Sequence, residues 1–283
     1  MDVLGDFMYI CVMSIPDPVL SSLDIQVTMA KRTVLDSRWN VSNYSDNDSR
    51  LYCIESGEAY VTHHGREYHL RPGYLFVIPA HTVLSYRCPR TFVQLWAHFN
   101  ATLFGGLPLL DYLQCEFEIR LERPRHAASL FKRMREAFAG DSPGKGLELR
   151  GLLLQLLAPF AGTADPVRQE KRRQGILRFR NVLEYVNRHL GEPITVDDLA
   201  VLAHLERTYF TRLFASHFGL PPARFILRRR IERAKRRLWE TNDTLEAIAA
   251  ALGFADAFHL SKAFKRVTGI SPSDFRRQPR GMS

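Results

Sequence analysis

LGFADAFHLSKAFKRVTGISP, residues 252–272, repeats the pattern of LAHLERTYFTRLFASHFGLPP, residues 202–222. The alignment pairs Ala200 with Ala249 and Leu205 with Phe254, and after one added residue it pairs Phe210 with Leu260, Phe214 with Phe264, Gly219 with Gly269, Pro222 with Pro272 and Phe225 with Phe275. The shared residues are small or apolar ones that pack helices together and a glycine that ends a helix. The repeat predicts two helix-turn-helix units, in each of which one helix braces a second that faces a major groove.

A long helix is predicted between the two units. The segment PPARFILRRRIERAKRRLWET, residues 221–241, opens on two prolines, which suit a helix start, and continues with good helix formers. About eighteen residues at ~1.5 Å each span roughly 27 Å, which lets the second helices of both units enter successive major grooves about 34 Å apart. Its arginines are open to two interpretations, solvation or phosphate contact, and we expect only a minority to touch DNA. They are Arg228, Arg229, Arg230, Arg233, Arg236 and Arg237.

Shorter helix signals surround the repeat. Residues 176–190 are amphipathic and are followed by Gly191, which favours a helix end. Thr195 followed by Asp198 resembles a capping box, and Asp243 or Thr244 is expected to open a later helix in the same way.

The positive charge of the chain is concentrated in its C-terminal part. Residues 166–283 hold 23 of the 39 Lys and Arg but only 12 of the 30 Asp and Glu. A one-sided basic excess is typical of a module that binds a polyanion, most often nucleic acid and less often an anionic membrane. The other interpretation is a basic surface that is merely solvated.

Cysteine usage and the N-terminus favour a cytoplasmic protein. The four cysteines are far apart and form no CxxC pair, which predicts reduced and mostly buried thiols. They are Cys11, Cys53, Cys88 and Cys115. The first residues lack the positive charge of a secretion signal, and no segment has the ~18–20 uninterrupted apolar residues of a membrane span.

Residues 41–99 predict a β domain. The run LYCIESGEAYVTHHGREYHL, residues 51–70, alternates, reverses at a two-residue turn of His64 and Gly65, and resumes. Two further strands are predicted in YLFVIP, residues 74–79, and TFVQLWAHF, residues 91–99. Short strands separated by Gly and Pro indicate a small β-sandwich or barrel.

The last of these strands predicts a pocket face. Alternation places Phe92, Gln94, Trp96 and His98 on one side and Val93, Leu95, Ala97 and Phe99 on the other. The first side combines an aromatic platform with hydrogen-bonding groups, as pockets for polar small molecules do. The alternative places Trp96 in the core and His98 at an exposed edge.

Two helices and a linker are predicted after the strands. The helices cover residues 126–138 and 146–160. The second is so rich in leucine that we expect it to be covered on two sides, by the β domain and by a second subunit; the alternative is a helix buried wholly within its own domain. The segment AGTADPVRQEKRRQG, residues 161–175, has small residues, a proline and a charge run without periodicity, which predicts a linker. The prediction is an α+β fold of two domains, with a β-rich ligand-binding and dimerisation domain at residues 1–160 and a helical DNA-binding domain at residues 176–283.

Residues 176–277 resemble the DNA-binding domain of the AraC/XylS family of bacterial transcription regulators. The similarity is carried by IAAALGFADAFHLSKAFKRVTGISPSDFR, residues 248–276. It implies that base edges are reached from Thr208, Thr211 and Arg212 in the first unit. The corresponding positions of the second unit are Phe258, Ser261 and Lys262, with His259 beside them, and Lys265, Arg266 and Arg276 are implied backbone contacts. Because Phe258 departs from the polar residues of the family, we expect it to touch a thymine methyl or simply to pack, and the second unit to position more than to read sequence.

GREYHLRPGYLFVIPAHTVLSY, residues 65–86, resembles the cupin-like sensor domain of the sugar-responsive branch of that family. Cupin enzymes hold a metal with histidines and a glutamate, but the glutamate place falls near Arg50, the last histidine place falls near Leu84, and no His-x-His precedes them. We therefore expect no metal and no cofactor. The resemblance implies that Tyr86, Gln94 and Trp96 line a sugar site, and Arg50 and His81 complete the candidate ligand residues.

The sequence thus predicts a ligand-responsive transcription regulator, expected to be an activator. A metal-free cupin-like barrel senses a small molecule, expected to be a sugar, and the helical domain binds double-stranded promoter DNA. A homodimer and contact with RNA polymerase are expected, and no membrane. The segments expected to move are residues 1–22 and 161–175. Two alternatives stay open: a metal-dependent cupin isomerase or dioxygenase fused to a DNA-binding domain, and a regulator controlled by a protein partner without a small-molecule ligand.

Overall fold

Two antiparallel sheets form the N-terminal part of the computed structural model, which describes residues 17–63 and 65–277. A short 3-10 helix, Leu20–Ser22, precedes them. The strands are β1 Asp24–Leu35, β2 Asn40–Tyr44, β3 Ser49–Ser56, β4 Ala59–His63, β5 Arg66–Leu70, β6 Tyr74–Ile78, β7 Leu84–Arg87, β8 Phe92–Leu103, β9 Leu107–Pro108 and β10 Glu118–Arg120. One sheet has the order β1-β8-β3-β6-β10 with β9 beside β8, and the other has the order β2-β7-β4-β5.

The predicted hairpin and the predicted faces of β8 are confirmed. His63 pairs with Arg66 across the turn, where Gly65 has a φ of 76° that a residue without Cβ adopts freely; His64 lies outside the described residues. Leu95, Ala97 and Phe99 face the core beneath the helices, and Phe92 faces the core between the sheets. The two sheets therefore enclose an interior of their own, while closure into a barrel stays a prediction.

Three helices cover the outer face of the larger sheet. They are α1 Leu109–Leu113, α2 Pro124–Ala139 and α3 Lys145–Ala161, so both predicted helices in this region are present within two residues at each end. The buried face of α3 is formed by Leu149, Leu152, Leu153, Leu156, Leu157 and Phe160. Leu147 and Leu154 point away from this core and remain 78% and 43% exposed.

The predicted linker, residues 161–175, is helical over most of its length. Helix α4, Pro166–Arg178, begins there because Asp165 accepts hydrogen bonds from the N–H groups of Val167 and Arg168 and a proline occupies the first helical position. Gln169 ties the helix to α1 through the Tyr112 carbonyl (3.3 Å). Local capping therefore outweighs the missing periodicity, while the domain boundaries at 160 and 176 stay predictions.

In the C-terminal part, as far as the structure describes it (to residue 277), every regular element is a helix. The helices are α5 Arg180–Arg188, α6 Val196–Leu202, α7 Arg207–Phe218, α8 Pro222–Glu240, α9 Leu245–Ala251, α10 Ala257–Thr268 and α11 Pro272–Arg277. The amphipathic stretch from residue 176 is divided, because α4 ends at Arg178 and α5 begins at Arg180. The capping box of Thr195 and Asp198 is present, and Thr244 caps α9.

The two repeats fold alike around separate cores. Phe210 and Phe214 of α7 pack against Phe179, with ring centres 6.0 and 5.5 Å apart. Leu260 and Phe264 of α10 are fully buried in a second core with residues of α8. The helix α8 joins the units over 19 residues, as predicted.

Three of the cysteines, Cys53, Cys88 and Cys115, are free thiols, and burial raises the pKa of Cys53 and of Cys115 to about 11. Cys11 and most of the expected moving arm at residues 1–22 lie outside the described residues. In the part of the chain that is described, no helix combines the length and the apolar character needed to span a membrane.

Candidate DNA-binding surface and ligand site

Helix α7 presents the predicted reading residues of the first unit to solvent. Thr208 and Arg212 are exposed, while Thr211 is half-buried and its hydroxyl donates to the Arg207 carbonyl (2.9 Å). Glu206 accepts hydrogen bonds from the N–H groups of Thr208 and Tyr209, which fixes the start of the helix. Thr208 and Arg212 are therefore free to meet a groove, and Thr211 is less available.

Tyr209 is a surface residue of α7 that the sequence reasoning missed. Its side chain is 41% exposed, and its ring centre lies 5.6 Å from the guanidinium carbon of Arg212. Within the repeat it aligns with His259, a candidate DNA-contacting residue of the second unit, so the alignment could have pointed to it. Tyr209 is placed to orient Arg212 by stacking under it.

Helix α10 carries an exposed aromatic residue at its start. Phe258 is 76% exposed, so the expectation that it simply packs is wrong. His259 is exposed and its N–H is held by Asp256 (2.6 Å), and Ser261 is half-buried. Lys262, Lys265 and Arg266 are exposed. The surface combines one apolar contact with three cations, which suits phosphate anchoring beside an apolar base contact.

Most arginines of α8 bind protein groups. Arg230 donates to the carbonyls of Leu190, Glu192 and Gly253, and Arg237 pairs with Asp243 (2.7 Å). Arg229 is buried and donates to Asn187 (2.8 Å), and Arg236 pairs with Asp24 of β1. Arg233 is exposed and Arg228 half-exposed. Arg276 donates to the Asp243 carbonyl (2.5 Å), a contact within the protein.

Four of the five predicted ligand residues share the interior between the two sheets. On the register of β3 and β8, Arg50 lies opposite His98, Tyr52 opposite Trp96, and Ile54 opposite Gln94. Arg50 donates through Nη1 to the hydroxyl of Tyr86, which comes from the other sheet. The indole of Trp96 is half-buried and donates to Thr33 (2.8 Å). These side chains form the candidate ligand site.

His81, the fifth, lies apart from this site. It occupies the exposed turn between β6 and β7 with a φ of 62°, and its N–H donates to the Asp46 carbonyl (2.7 Å). Partial desolvation and the charges of Arg228 and Lys235 lower its pKa, which places it on the side of the helical domain.

His98 connects the interior to a cleft. It is buried, its Nδ1 lies 3.8 Å from Asp46, and burial lowers its pKa although Asp46 opposes this. It also lines a cleft of about 580 Å³ between the β domain and α8, whose walls include Asp24, Asp48, Arg229 and Arg236. Among the described residues no cluster of His, Cys, Asp and Glu is placed to hold a metal ion.

Contacts between the two domains flank this cleft, and sequence reasoning missed them. Asn47 donates to the Thr268 carbonyl at the end of α10 (3.0 Å), and Asp24 pairs with Arg236. Arg229 packs on Gly105 and Gly106, where any added Cβ would overlap it. Nothing in the sequence signals these contacts, since the first two join residues more than 200 positions apart.

Comparison with known proteins assigns both domains. Residues 199–278 match the family described as a helix-turn-helix domain, and residues 45–157 match the AraC-like ligand binding domain. The raffinose operon transcriptional regulatory protein RafR of Pediococcus pentosaceus is 35% identical over 100 residues, which are 35% of this chain and 36% of that protein. The HTH-type transcriptional regulator YisR of Bacillus subtilis is 31% identical over 160 residues, 56% of this chain and 53% of that protein.

Among solved structures, the DNA-binding domain of AdpA in complex with DNA is 29% identical with a TM-score of 0.35, covering 37% of this chain and 98% of that one. ToxT of Vibrio cholerae is 14% identical with a TM-score of 0.49, covering 90% of this chain and 97% of that one. The chain spans about a third to a half of the length of the curated relatives.

A β-rich domain that matches the AraC-like ligand binding domain is therefore joined to a pair of helix-turn-helix units. In both of its domains the chain is thus similar to AraC-type transcription regulators.

Proposed function

We propose that this protein regulates transcription in response to a small molecule and binds promoter DNA in the cytoplasm through α7 and α10. The observation that carries the proposal is the pair of recognition helices, each with an exposed polar or basic face, held at the two ends of one helix, α8. At ~1.5 Å per residue the 19 residues of α8 extend roughly 28 Å, which is close to the spacing of successive major grooves.

The two recognition helices have different roles in this proposal. Arg212, exposed and stacked near Tyr209, reads guanine through two hydrogen bonds, which is worth about 1–3 kcal/mol of discrimination. Lys262, Lys265 and Arg266 of α10 hold phosphates, and Phe258 touches an apolar edge such as a thymine methyl. The first unit therefore selects sequence and the second anchors the protein.

Replacement of Arg212 by alanine tests the role of the first unit. A genomic footprint supplies the operator, and binding is measured by fluorescence anisotropy on that operator and on a scrambled duplex. Arg212→Ala should weaken operator binding by on the order of 10- to 100-fold and scrambled binding far less.

Lys262→Ala is the matched control, because a lost phosphate contact weakens both duplexes alike and reduces the salt dependence of binding. If Arg212→Ala lost the same affinity for both duplexes, Arg212 would contact only phosphate and would not read the sequence.

We further propose that the effector is a carbohydrate bound between the two sheets and that the protein activates its target genes together with RNA polymerase. The family resemblance and the name of RafR, a raffinose operon regulator, support a carbohydrate. A ligand changes the output only if it binds two arrangements of the protein with different affinity. The contacts of Asp24 and Asn47 with the helical domain are the natural elements for such a change.

We propose a homodimer through the outer face of α3, where Leu147 and Leu154 lie two turns apart and exposed. Leu154→Glu should shift the protein to the monomer in sedimentation equilibrium while leaving its circular dichroism unchanged, since the side chain is not part of the core. Gln155→Glu adds the same charge at the neighbouring exposed position and should leave the dimer intact. If the Leu154→Glu protein stays dimeric, α3 does not form the dimer interface.

A further inference from the structure

A buried cation without a counter-ion lies between the two sheets. Arg50 on β3 is only 1% exposed. Its Nη1 donates to the Tyr86 hydroxyl, while Nε and Nη2 have no hydrogen-bond partner among the described residues. The guanidinium carbon also lies 5.4 and 5.8 Å from the ring centres of Tyr44 and Tyr86. Two N–H donors that have lost water without gaining a hydrogen-bond acceptor are nevertheless costly in a protein interior.

The two unpartnered nitrogens form one edge of the guanidinium. Nε–H and one N–H of Nη2 point in the same direction, and their spacing matches the two oxygens of a carboxylate, which arginine binds through two parallel hydrogen bonds. The third nitrogen, Nη1, is held by Tyr86 and fixes the orientation of the group. The free edge is thus a preformed receptor for an oxyanion.

The groups around Arg50 leave it without an ion pair among the described residues. Burial raises the pKa of Tyr52 and of Tyr86, so both phenols stay uncharged. The carboxylate of Asp46 accepts from the Tyr44 hydroxyl (2.9 Å) and lies near His98, and no ion pair of Arg50 occurs within the described part of the chain. Asp46 therefore acts on Arg50 only through space, and the free edge of the guanidinium stays unpaired inside the β domain.

A second unpartnered group lies further along the same face. The side-chain oxygen of Gln94, a residue only 5% exposed, lacks a hydrogen-bond donor among the described residues. On the strand register Gln94 lies four residues from the position opposite Arg50, or about 13 Å at ~3.3 Å per residue, with Trp96 between them. An aromatic ring between an anion receptor and an acceptor suits a sugar ring that carries an acid at one end and hydroxyls elsewhere.

We propose that the effector is a sugar acid or a related hydroxy acid, whose carboxylate is held by Nε and Nη2 of Arg50 and whose hydroxyl donates to Gln94. This inference rests on the proposed sensor function and defines the chemical class of its ligand. A monoanion fits better than a phosphate dianion, because Arg50 is a buried cation of this face, whereas Lys31, the β1 partner of Trp96, is only half-buried. Burial also lowers the pKa of His98, so it adds no second buried positive charge.

Matched pairs of sugars test the charge. The melting temperature of the full chain is measured with D-glucuronate, D-galacturonate and D-gluconate, with the neutral D-glucose and D-galactose, and with D-glucose 6-phosphate, and titration calorimetry follows for each probe that raises it. At least one carboxylate should raise the melting temperature while its neutral counterpart does not. Arg50→Met should weaken that binding by on the order of 10- to 100-fold, and Arg50→Lys should restore part of it.

A measurement without any ligand tests Arg50 independently. Arg50→Met should raise the melting temperature of the ligand-free protein, since it removes a buried charge that has no ion-pair partner. Arg32→Met, on β1, is the control, because that arginine is partly exposed and already paired with Glu55 (2.6 Å), so its loss should change stability little. A lower melting temperature of Arg50→Met would make Arg50 a structural residue and overturn the proposal.

The other outcomes separate this inference from the proposed function. If a neutral sugar binds wild type and Arg50→Met equally, the effector is not a sugar acid, but the proposed sugar-sensing function stands. If the protein prefers D-glucose 6-phosphate, the proposal that Arg50 holds a carboxylate is overturned. If no carboxylate raises the melting temperature, the proposal of a sugar-acid effector is overturned as well. Operator binding by the same preparations decides the DNA-binding function in every case.

Discussion

At the residue scale, the turns of the two helix-turn-helix units use different residues for the same backbone shape. Gly253 in the second unit has a φ of 68°, and His204, at the aligned position of the first unit, has a φ of 54°. The left-handed region costs a residue with a Cβ roughly 1–2 kcal/mol, whereas glycine enters it freely. The first unit therefore bears a strain that the second avoids.

Gly253→Ala should destabilise the protein by more than the backbone penalty alone. A Cβ at this position would lie 2.8 Å from Nη2 of Arg230 and 3.0 Å from the Gly191 carbonyl, so it would disturb the arginine that joins α8 to three carbonyls. We expect a loss of about 2–3 kcal/mol, from ~1–2 kcal/mol of backbone strain and about 1 kcal/mol of lost hydrogen bonding. Urea unfolding monitored by circular dichroism measures it.

Gly269→Ala is the matched control for that substitution. Gly269 has a φ of 82° at the end of α10, but an added Cβ would meet nothing within 4 Å. Its replacement should therefore cost only the backbone strain, ~1–2 kcal/mol. If both variants lost the same stability, the contact of Gly253 with Arg230 would have no energetic role.

At the element scale, equivalent helices of the two units begin with different caps. Thr195 and Asp198 form a reciprocal capping box on α6, whereas Thr244 caps α9 with a single bond to the N–H of Ala247. Hydrogen bonds from Thr195 hold the pKa of Asp198 below its usual range. Only the first helix therefore has a start whose strength depends on the charge of a carboxylate.

Thr195→Ala should cost about 1 kcal/mol at neutral pH, and the difference from wild type should shrink in acid. Asp198 has a lowered pKa in the folded state, so its contribution is present above its unfolded pKa and is lost as the pH falls through the folded pKa. Thermal unfolding across the acid range measures this difference.

Thr244→Ala removes a cap of similar strength that involves no carboxylate, so its cost should stay constant over the same range. If the stability difference from wild type shrank in acid for both variants alike, the charge of Asp198 would not be the cause.

At the scale of the whole molecule, α8 belongs to both domains. It carries the cores of the helix-turn-helix units on one side, and on another its Arg229 and Arg236 contact Gly105 and Asp24 of the β domain. A movement of the strands that form the candidate ligand site would therefore shift α8, the helix that separates the two recognition helices. This arrangement gives the proposed effector a physical route to DNA binding.

Gly105→Ala should open the contact between the domains. Gly105 has a φ of 65°, and an added Cβ would overlap the guanidinium of Arg229, which must then leave its buried position. We expect a larger radius of gyration in small-angle scattering and a DNA affinity that responds less to the effector. The contrary result, an unchanged radius and an unchanged response, would show that the domains communicate elsewhere.

Gly73→Ala is the control within the same domain. Gly73 has a φ of 86°, but an added Cβ would meet nothing within 4 Å. Both variants pay the backbone strain, so only the contact with Arg229 distinguishes them.

The sequence alone predicted the features that depend on neighbours in the chain. The repeat gave both helix-turn-helix units and the helix between them, because the packing residues of each unit lie within about twenty positions and recur at the same spacing. Thr195 and Thr244 marked helix starts, and alternation on β8 separated Leu95 from Phe92, for the same reason: capping and side-chain direction are set locally.

Only the tertiary structure decided what distant parts of the chain do to each other. Arg50 was a candidate ligand residue by position, but its missing counter-ion became visible only when β3, β7 and β8 enclosed it. The charge run after residue 165 did not predict a helix that packs on α1. The sequence around Asp24 likewise did not predict its pairing with Arg236, 212 residues away. Burial and long-range pairing depend on how the elements pack, and a pattern of neighbouring residues carries no record of that packing.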